Sequence, residues 1–108
     1  MKTKAEILSL LHAYRPIAEK RYGLSPIGIF GSVARGEQTE DSDVDIFYVG
    51  AAPSLITLDK FNTDLEQLLG CKVDTVRLRT NMNPLLRQRI QQEGVRADSR
   101  KKLIFIGV

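Results

Sequence analysis

The segment Asp43-Val44-Asp45-Ile46-Phe47-Tyr48-Val49 places the tightest constraint on what this chain can fold into. Its β-branched and aromatic residues predict a strand, ended by Gly50-Ala51-Ala52-Pro53. Alternate side chains of a strand share a face, so Asp43 and Asp45 project together, with backbones about 6.5–7 Å apart. Val44 and Ile46 then point the other way, into a core. Two like charges side by side on a buried strand are unfavourable unless a cation sits between them. The strand therefore needs one packed face and one face that opens to solvent or to a bound ion. The solvated mouth of a hairpin meets the same requirement, so the pair alone does not choose between them.

The rest of the chain supplies partners for such a strand. Ile7, Leu10, Leu11, Tyr14, Ile17 and Ala18 recur at helical spacing, which predicts a helix over 3–21. Pro16 is awkward inside it, because proline removes a backbone donor, and Gly23 is a plausible stop. Ile27-Gly28-Ile29-Phe30 predicts a short strand, followed by a tight turn into a short helix over 31–36 and a polar loop over 37–42. Leu55, Leu58, Phe61, Leu65, Leu68 and Leu69 form a second helical stripe closed by Gly70. A third strand is expected over 71–76, and Pro84 opens a last helix over 84–93. The order of elements is that of an α/β fold, with a small mixed sheet of three to four strands flanked by helices.

One domain over 1–96 accounts for this pattern in a chain of 108 residues. A tail over 97–108 remains, with Arg100-Lys101-Lys102 and an apolar run over 103–106 that is read as an edge strand or a partner-binding end. No run reaches the about 20 apolar residues of a membrane helix. A lone cysteine, Cys71, forms no internal disulfide, and the first residues lack the apolar stretch of a signal peptide. The expectation is a cytoplasmic protein with no membrane contact. Sixteen basic residues against thirteen acidic ones give a net charge of +3, too dilute an excess for a nucleic-acid-binding face. The basic clusters, Arg87/Arg89 and Arg96/Arg100/Lys101/Lys102, are read as solvated faces or partner contacts, although they would attract nucleotide phosphates equally well.

Two further features bear on chemistry. Gly31-Ser32 follows an apolar strand directly. Glycine permits a sharp turn there, and backbone N–H groups at a helix start cradle anions. Asp74 is a charge among β-branched neighbours, Lys72-Val73-Asp74-Thr75-Val76. If its strand lies beside the second one, Asp74 joins Asp43 and Asp45. Oxygen-only ligands suit hard divalent cations, and Mg²⁺ is usually held by one or two carboxylates plus substrate phosphates. Three carboxylates would hold two ions, as in-line displacement at phosphorus uses. Taken singly, the Gly-Ser turn and Asp74 are more often structural than functional.

Together they form a longer pattern: Gly31-Ser32, a gap of ten residues, then Asp43-Val44-Asp45, with Arg35-Gly36 and Ser42 in the gap. This resembles the nucleotidyltransferase superfamily that includes DNA polymerase beta. The strings Ile29-Phe30-Gly31-Ser32-Val33-Ala34-Arg35-Gly36 and Ser42-Asp43-Val44-Asp45-Ile46 are similar to those of its minimal members, the MNT proteins. The resemblance covers roughly residues 5–95, and the final tail departs from it. It implies that Gly31, Ser32, Arg35 and Ser42 bind the nucleotide, and that Asp43, Asp45 and Asp74 are catalytic and ligate Mg²⁺, two ions in number. It implies ATP as substrate.

Many stand-alone MNT proteins are antitoxins of type VII HEPN/MNT toxin–antitoxin systems. The resemblance therefore implies a protein adenylyltransferase that moves AMP from ATP to a tyrosine hydroxyl of a HEPN ribonuclease toxin, in complex with it. Two other readings stay open: an antitoxin that neutralises by binding alone, and a small-molecule nucleotidyltransferase, which the chain length disfavours. His12 is read as partly buried structure, Cys71 as core, and Tyr14, Tyr22 and Tyr48 as packing residues rather than acceptors.

Overall fold

The computed structural model describes residues 2–97. Thr3 starts the first helix: its hydroxyl accepts from the Glu6 N–H at 3.1 Å, and its own N–H donates to Glu6 Oε1 at 2.8 Å. This capping box satisfies donors that a helix start would otherwise leave bare. Helix α1 runs Lys4–Tyr22 and ends at Gly23, which adopts the left-handed φ of 68°. Pro16 lies on its solvent side and does not end it. Ile7, Leu11, Tyr14 and Ala18 bury one stripe on either side of the proline, and that packing outweighs the lost backbone bond.

Strand β1 (Ile27–Phe30) leads without a break into the single turn of α2 (Gly31–Ala34). Strand β2 (Val44–Tyr48) returns antiparallel to β1, with Phe30 opposite Asp45 and Ile27 opposite Tyr48. Helix α3 (Leu55–Leu69) then crosses over, and β3 (Val73–Arg77) lies parallel to β2, the connection a parallel pair requires. Helix α4 (Pro84–Glu93) is capped by Asn83 Oδ1, which accepts from the Leu85 and Leu86 N–H groups at 2.9 and 3.2 Å. A two-residue strand β4 (Val95–Arg96) follows, antiparallel to β1. The sheet order is β3-β2-β1-β4. This mixed sheet of four strands is the α/β fold expected from the sequence.

Alternation along the strands divides the apolar residues between two faces. Ile27, Ile29, Val44, Ile46 and Tyr48 pack against the buried stripes of α1 and of α3, where Phe61, Leu65 and Leu69 are fully enclosed. Phe30 and Phe47 take the other face, under Ile90 of α4, with Val76, Leu78, Met82 and Leu86 around them. Gly28 is needed between these layers: a Cβ there would lie 2.6 Å from the Phe47 ring and overlap the Val95 carbonyl oxygen.

The fourth strand expected over 103–106 lies outside the described residues. The strand that does sit beside β1 begins at Val95. Beyond it, the Ala97 N–H donates to Ile27 O at 2.8 Å, and Ala97 is 2% exposed. His12 Nδ1 donates to the Ala97 carbonyl at 2.8 Å, so this histidine ties the edge of the sheet to α1. The hydroxyls of Tyr14 and Tyr22 both donate to Asp64 Oδ2, at 2.8 and 2.9 Å, and Tyr48 packs edge-on to Phe61. The three tyrosines are packing residues. Among the described residues no helix is long and apolar enough to cross a membrane.

Candidate active site

One end of the sheet collects the chemistry. Here β1 finishes, and β2 and β3 begin. Parallel register sets Asp45 of β2 directly beside Asp74 of β3, where neighbouring strands run about 4.8 Å apart. Antiparallel register sets Asp45 beside Phe30, the residue before Gly31. Asp43 stands two residues earlier than Asp45, at the exposed lip of the strand. Gly31, Ser32, Asp43, Asp45 and Asp74 therefore meet at one corner, on the sheet face that α4 covers only in part.

Gly31 is required by two observations. Its φ is +72°, in the left-handed region that side chains avoid, and a Cβ would overlap Asp45 Oδ2. The carboxylate thus rests on the glycine backbone at the start of α2. No side chain caps that helix start, which leaves its N–H groups turned toward the corner. The Ser32 side chain is partly exposed and makes no hydrogen bond among the described residues.

Asp45 is partly buried and, among the described residues, accepts no hydrogen bond and forms no ion pair. Its pKa is raised, first by burial, then by the charge of Asp74 and, more weakly, of Asp43; Arg89 and Arg35 pull it back down. A carboxylate crowded in this way is short of positive charge. Among the described residues, no group of three or more His, Cys, Asp and Glu side chains is close enough to hold a metal ion. The three aspartates share the corner but are not drawn into a preformed cage. Mg²⁺ does not require such a cage: it usually takes one or two carboxylates and completes its shell with phosphate oxygens and water. The donors present are all hard oxygens and fit that ion.

The remaining residues singled out from sequence have partners of their own. Arg35 is held by two carboxylates: its Nε donates to Glu37 Oε1 at 2.9 Å, and its Nη1 to Glu93 Oε1 and Oε2 at 3.1 and 3.0 Å. The Ser42 hydroxyl accepts from the Thr39 N–H at 2.9 Å and closes the turn that delivers Asp43. Two placements escaped the sequence reading. Glu93 anchors the end of α4 to Arg35 beside the corner. Arg89, one turn earlier on the same flank of α4, is the strongest cationic influence on Asp45. The signal was present as an Arg and a Glu four residues apart, but only the helix position shows that this flank faces the carboxylates.

Apart from the corner, an open cleft of about 440 Å³ is lined by Lys2, Glu6, Ile7, Glu40, Leu69, Gly70 and Cys71. Lys2 Nζ donates to the Leu69 carbonyl at 3.1 Å on its wall. Burial pushes the Cys71 thiol pKa up.

Comparison with known proteins agrees with this geometry. Residues 12–97 match the model of the nucleotidyltransferase domain. Protein adenylyltransferase MntA of Thermococcus cleftensis is 46% identical over 77 residues, covering 70% of this chain and 78% of its own. A solved structure described as a candidate minimal nucleotidyltransferase superimposes with a TM-score of 0.73 at 32% identity, over 87% of this chain and 95% of its own. A toxin–antitoxin crystal structure with AMP-PNP superimposes with a TM-score of 0.63 at 28% identity, over 89% of this chain and 73% of the other. With the Gly-Ser turn beneath the paired aspartates and this match along most of its length, the chain belongs to the nucleotidyltransferase family, in its minimal form.

Proposed function

We propose that this nucleotidyltransferase is the antitoxin of a HEPN/MNT pair and transfers AMP from ATP to a tyrosine hydroxyl of its HEPN ribonuclease partner. The observation that carries the reading is the register that sets Asp45 against both Asp74 and the Gly31-Ser32 turn. It is supported by the relative named as a protein adenylyltransferase and by the toxin–antitoxin structure with an ATP analogue. An ATP-consuming reaction on a ribonuclease belongs in the cytoplasm.

In this reading the backbone of Gly31-Ser32 and the Ser32 hydroxyl hold the triphosphate. Asp43 and Asp45 would hold Mg²⁺, which would supply neutralisation of phosphate charge and a lowered pKa for the attacking hydroxyl. Asp74 is exposed at the lip of the site, where it meets the incoming acceptor and takes its proton. The tyrosine oxygen attacks the α-phosphorus, a new O–P bond forms, the α–β bridging P–O bond breaks, and pyrophosphate leaves with the electron pair. Ser42 and Thr39 keep Asp43 in place through the turn before it.

Incubating the protein with its HEPN partner and MgATP, then weighing the partner by intact mass spectrometry, tests this. Wild type adds whole AMP units and Asp43→Ala/Asp45→Ala adds none; an unmodified partner after incubation with wild type overturns the reading. A second reading, neutralisation by binding alone, is favoured by Leu55, Ile56 and Leu85. These apolar side chains are 85%, 71% and 73% exposed, on helix starts at the end of the sheet away from the carboxylates. In that case the double variant still silences the ribonuclease at equal stoichiometry without ATP.

A further inference from the structure

The family motif offers Arg35 as the phosphate-binding cation, yet this chain commits that guanidinium elsewhere. Three N–H···O contacts tie it to Glu37 and Glu93. Both contacts to Glu93 come from the single Nη1 nitrogen and the third from Nε to Glu37; they are charge-assisted, and a phosphate would have to displace them. The pair also has a structural use: it fastens the last turn of α4 to the end of α2, beside Gly31 and Ser32.

What that fastening positions is Arg89. It lies four residues before Glu93, so both project from one flank of α4. The flank is fixed from two sides. Ile90, the next residue, is fully buried against Phe30 and Phe47, and Glu93 is held by Arg35. Phe47 and Asp45 share a sheet face two residues apart, so a helix seated on Phe47 overlooks Asp45. Arg89 is exposed and, among the described residues, has no hydrogen bond or ion pair. Three aspartates and a triphosphate would meet in front of it, and every other cation named at this corner is already paired.

We propose that Arg89 is the guanidinium that grips the triphosphate, while Arg35 is the positioning residue that holds α4 in place for it. This rests on the nucleotidyltransfer reading above. Arginine suits the task, since its planar fork matches two phosphate oxygens at once. Placed on the leaving side, it would also neutralise the charge that builds on pyrophosphate as the bridging bond breaks.

The test is direct binding, with Mg²⁺ and a fluorescent non-hydrolysable ATP analogue displaced by inorganic pyrophosphate. Wild type is compared with Arg89→Ala, Arg89→Gln and Arg89→Lys, with Arg87→Ala as a control of equal charge on the same helix. Circular dichroism confirms that each is folded, which is expected of changes at an exposed, unpaired side chain. The Ala and Gln variants should weaken both the analogue and pyrophosphate by about tenfold or more, the loss typical of one charge-assisted contact. Lys should recover part of that loss, and Arg87→Ala should stay within about twofold of wild type. Unchanged affinity in Arg89→Ala and Arg89→Gln overturns the proposal for Arg89 alone. A wild-type protein that binds neither ligand overturns the nucleotidyltransfer reading, and this inference with it.

Discussion

The two faces of the sheet are built from the same strands and end in opposite states. Toward α1 and α3, β2 presents Val44, Ile46 and Tyr48, at 0%, 0% and 4% exposure, inside a continuous apolar core. Toward α4 it presents Phe47, which is buried, and Asp45, which is partly buried without a partner among the described residues. One face stabilises the fold. The other carries carboxylates that repel one another and raise the cost of folding. A strand that alternates in this way lets a small domain hold unfavourable charges in fixed positions, because the opposite face supplies the rigidity.

This contrast can be broken from either side. The largest effect is expected on the packed face. Phe61→Ala removes a fully enclosed ring that touches Tyr14, Tyr22 and Tyr48. It should cost about 3–5 kcal/mol in urea unfolding, a large share of the stability of a small domain. Next is Asp45→Asn, which should reduce AMP transfer by at least about a hundredfold, yet leave the urea midpoint unchanged or higher, because it removes a crowded charge. A clear loss of stability in Asp45→Asn would show that the carboxylate helps to hold the fold. Gly31→Ala comes third. Its methyl group would meet Asp45 Oδ2 at a φ of +72°, so about 1–2 kcal/mol of stability should be lost together with nucleotide binding.

The smallest effect is on pH dependence. Burial, Asp74 and Asp43 hold the Asp45 pKa above the ordinary aspartate value, against Arg89 and Arg35. The unfolded chain then releases this proton at a lower pH than the folded protein does. The contribution of Asp45 to stability is therefore present in acid and is lost as pH rises from the ordinary carboxylate range through the raised value. Urea midpoints across the acid range should show a shallower loss in Asp45→Asn than in wild type, and added Mg²⁺ with nucleotide should offset the loss in wild type alone.

The packed face was legible in the sequence because its signals are local and periodic. The stripes Ile7–Leu11–Tyr14–Ala18 and Phe61–Leu65–Leu69 have helical spacing, and Val44–Ile46–Tyr48 alternates, whereas Ile17 and Leu55, read into the same stripes, are exposed. The Gly-Ser and Asp-X-Asp strings were legible because they lie close together in the chain. The position of Asp74 required a guess about strand order, since its neighbour Asp45 lies 29 residues away and only the parallel register brings them together. Strand β4 was missed because two residues, Val95 and Arg96, show no alternation. The pairing of Arg35 with Glu93 was missed because Glu93 lies 58 residues away and looks like an ordinary solvated charge at a helix end. The Arg87/Arg89 cluster was legible as charge that would attract phosphates, but only the seating of Ile90 on Phe47 shows which way Arg89 faces.

The most direct measurement is a crystal structure of the protein soaked with Mg²⁺ and a non-hydrolysable ATP analogue. The expected result is the triphosphate against Gly31-Ser32, with Mg²⁺ held at Asp43 and Asp45. A triphosphate bound instead in the Lys2–Cys71 cleft, with both aspartates bare, would contradict the claim that the carboxylate corner of this sheet is the catalytic site.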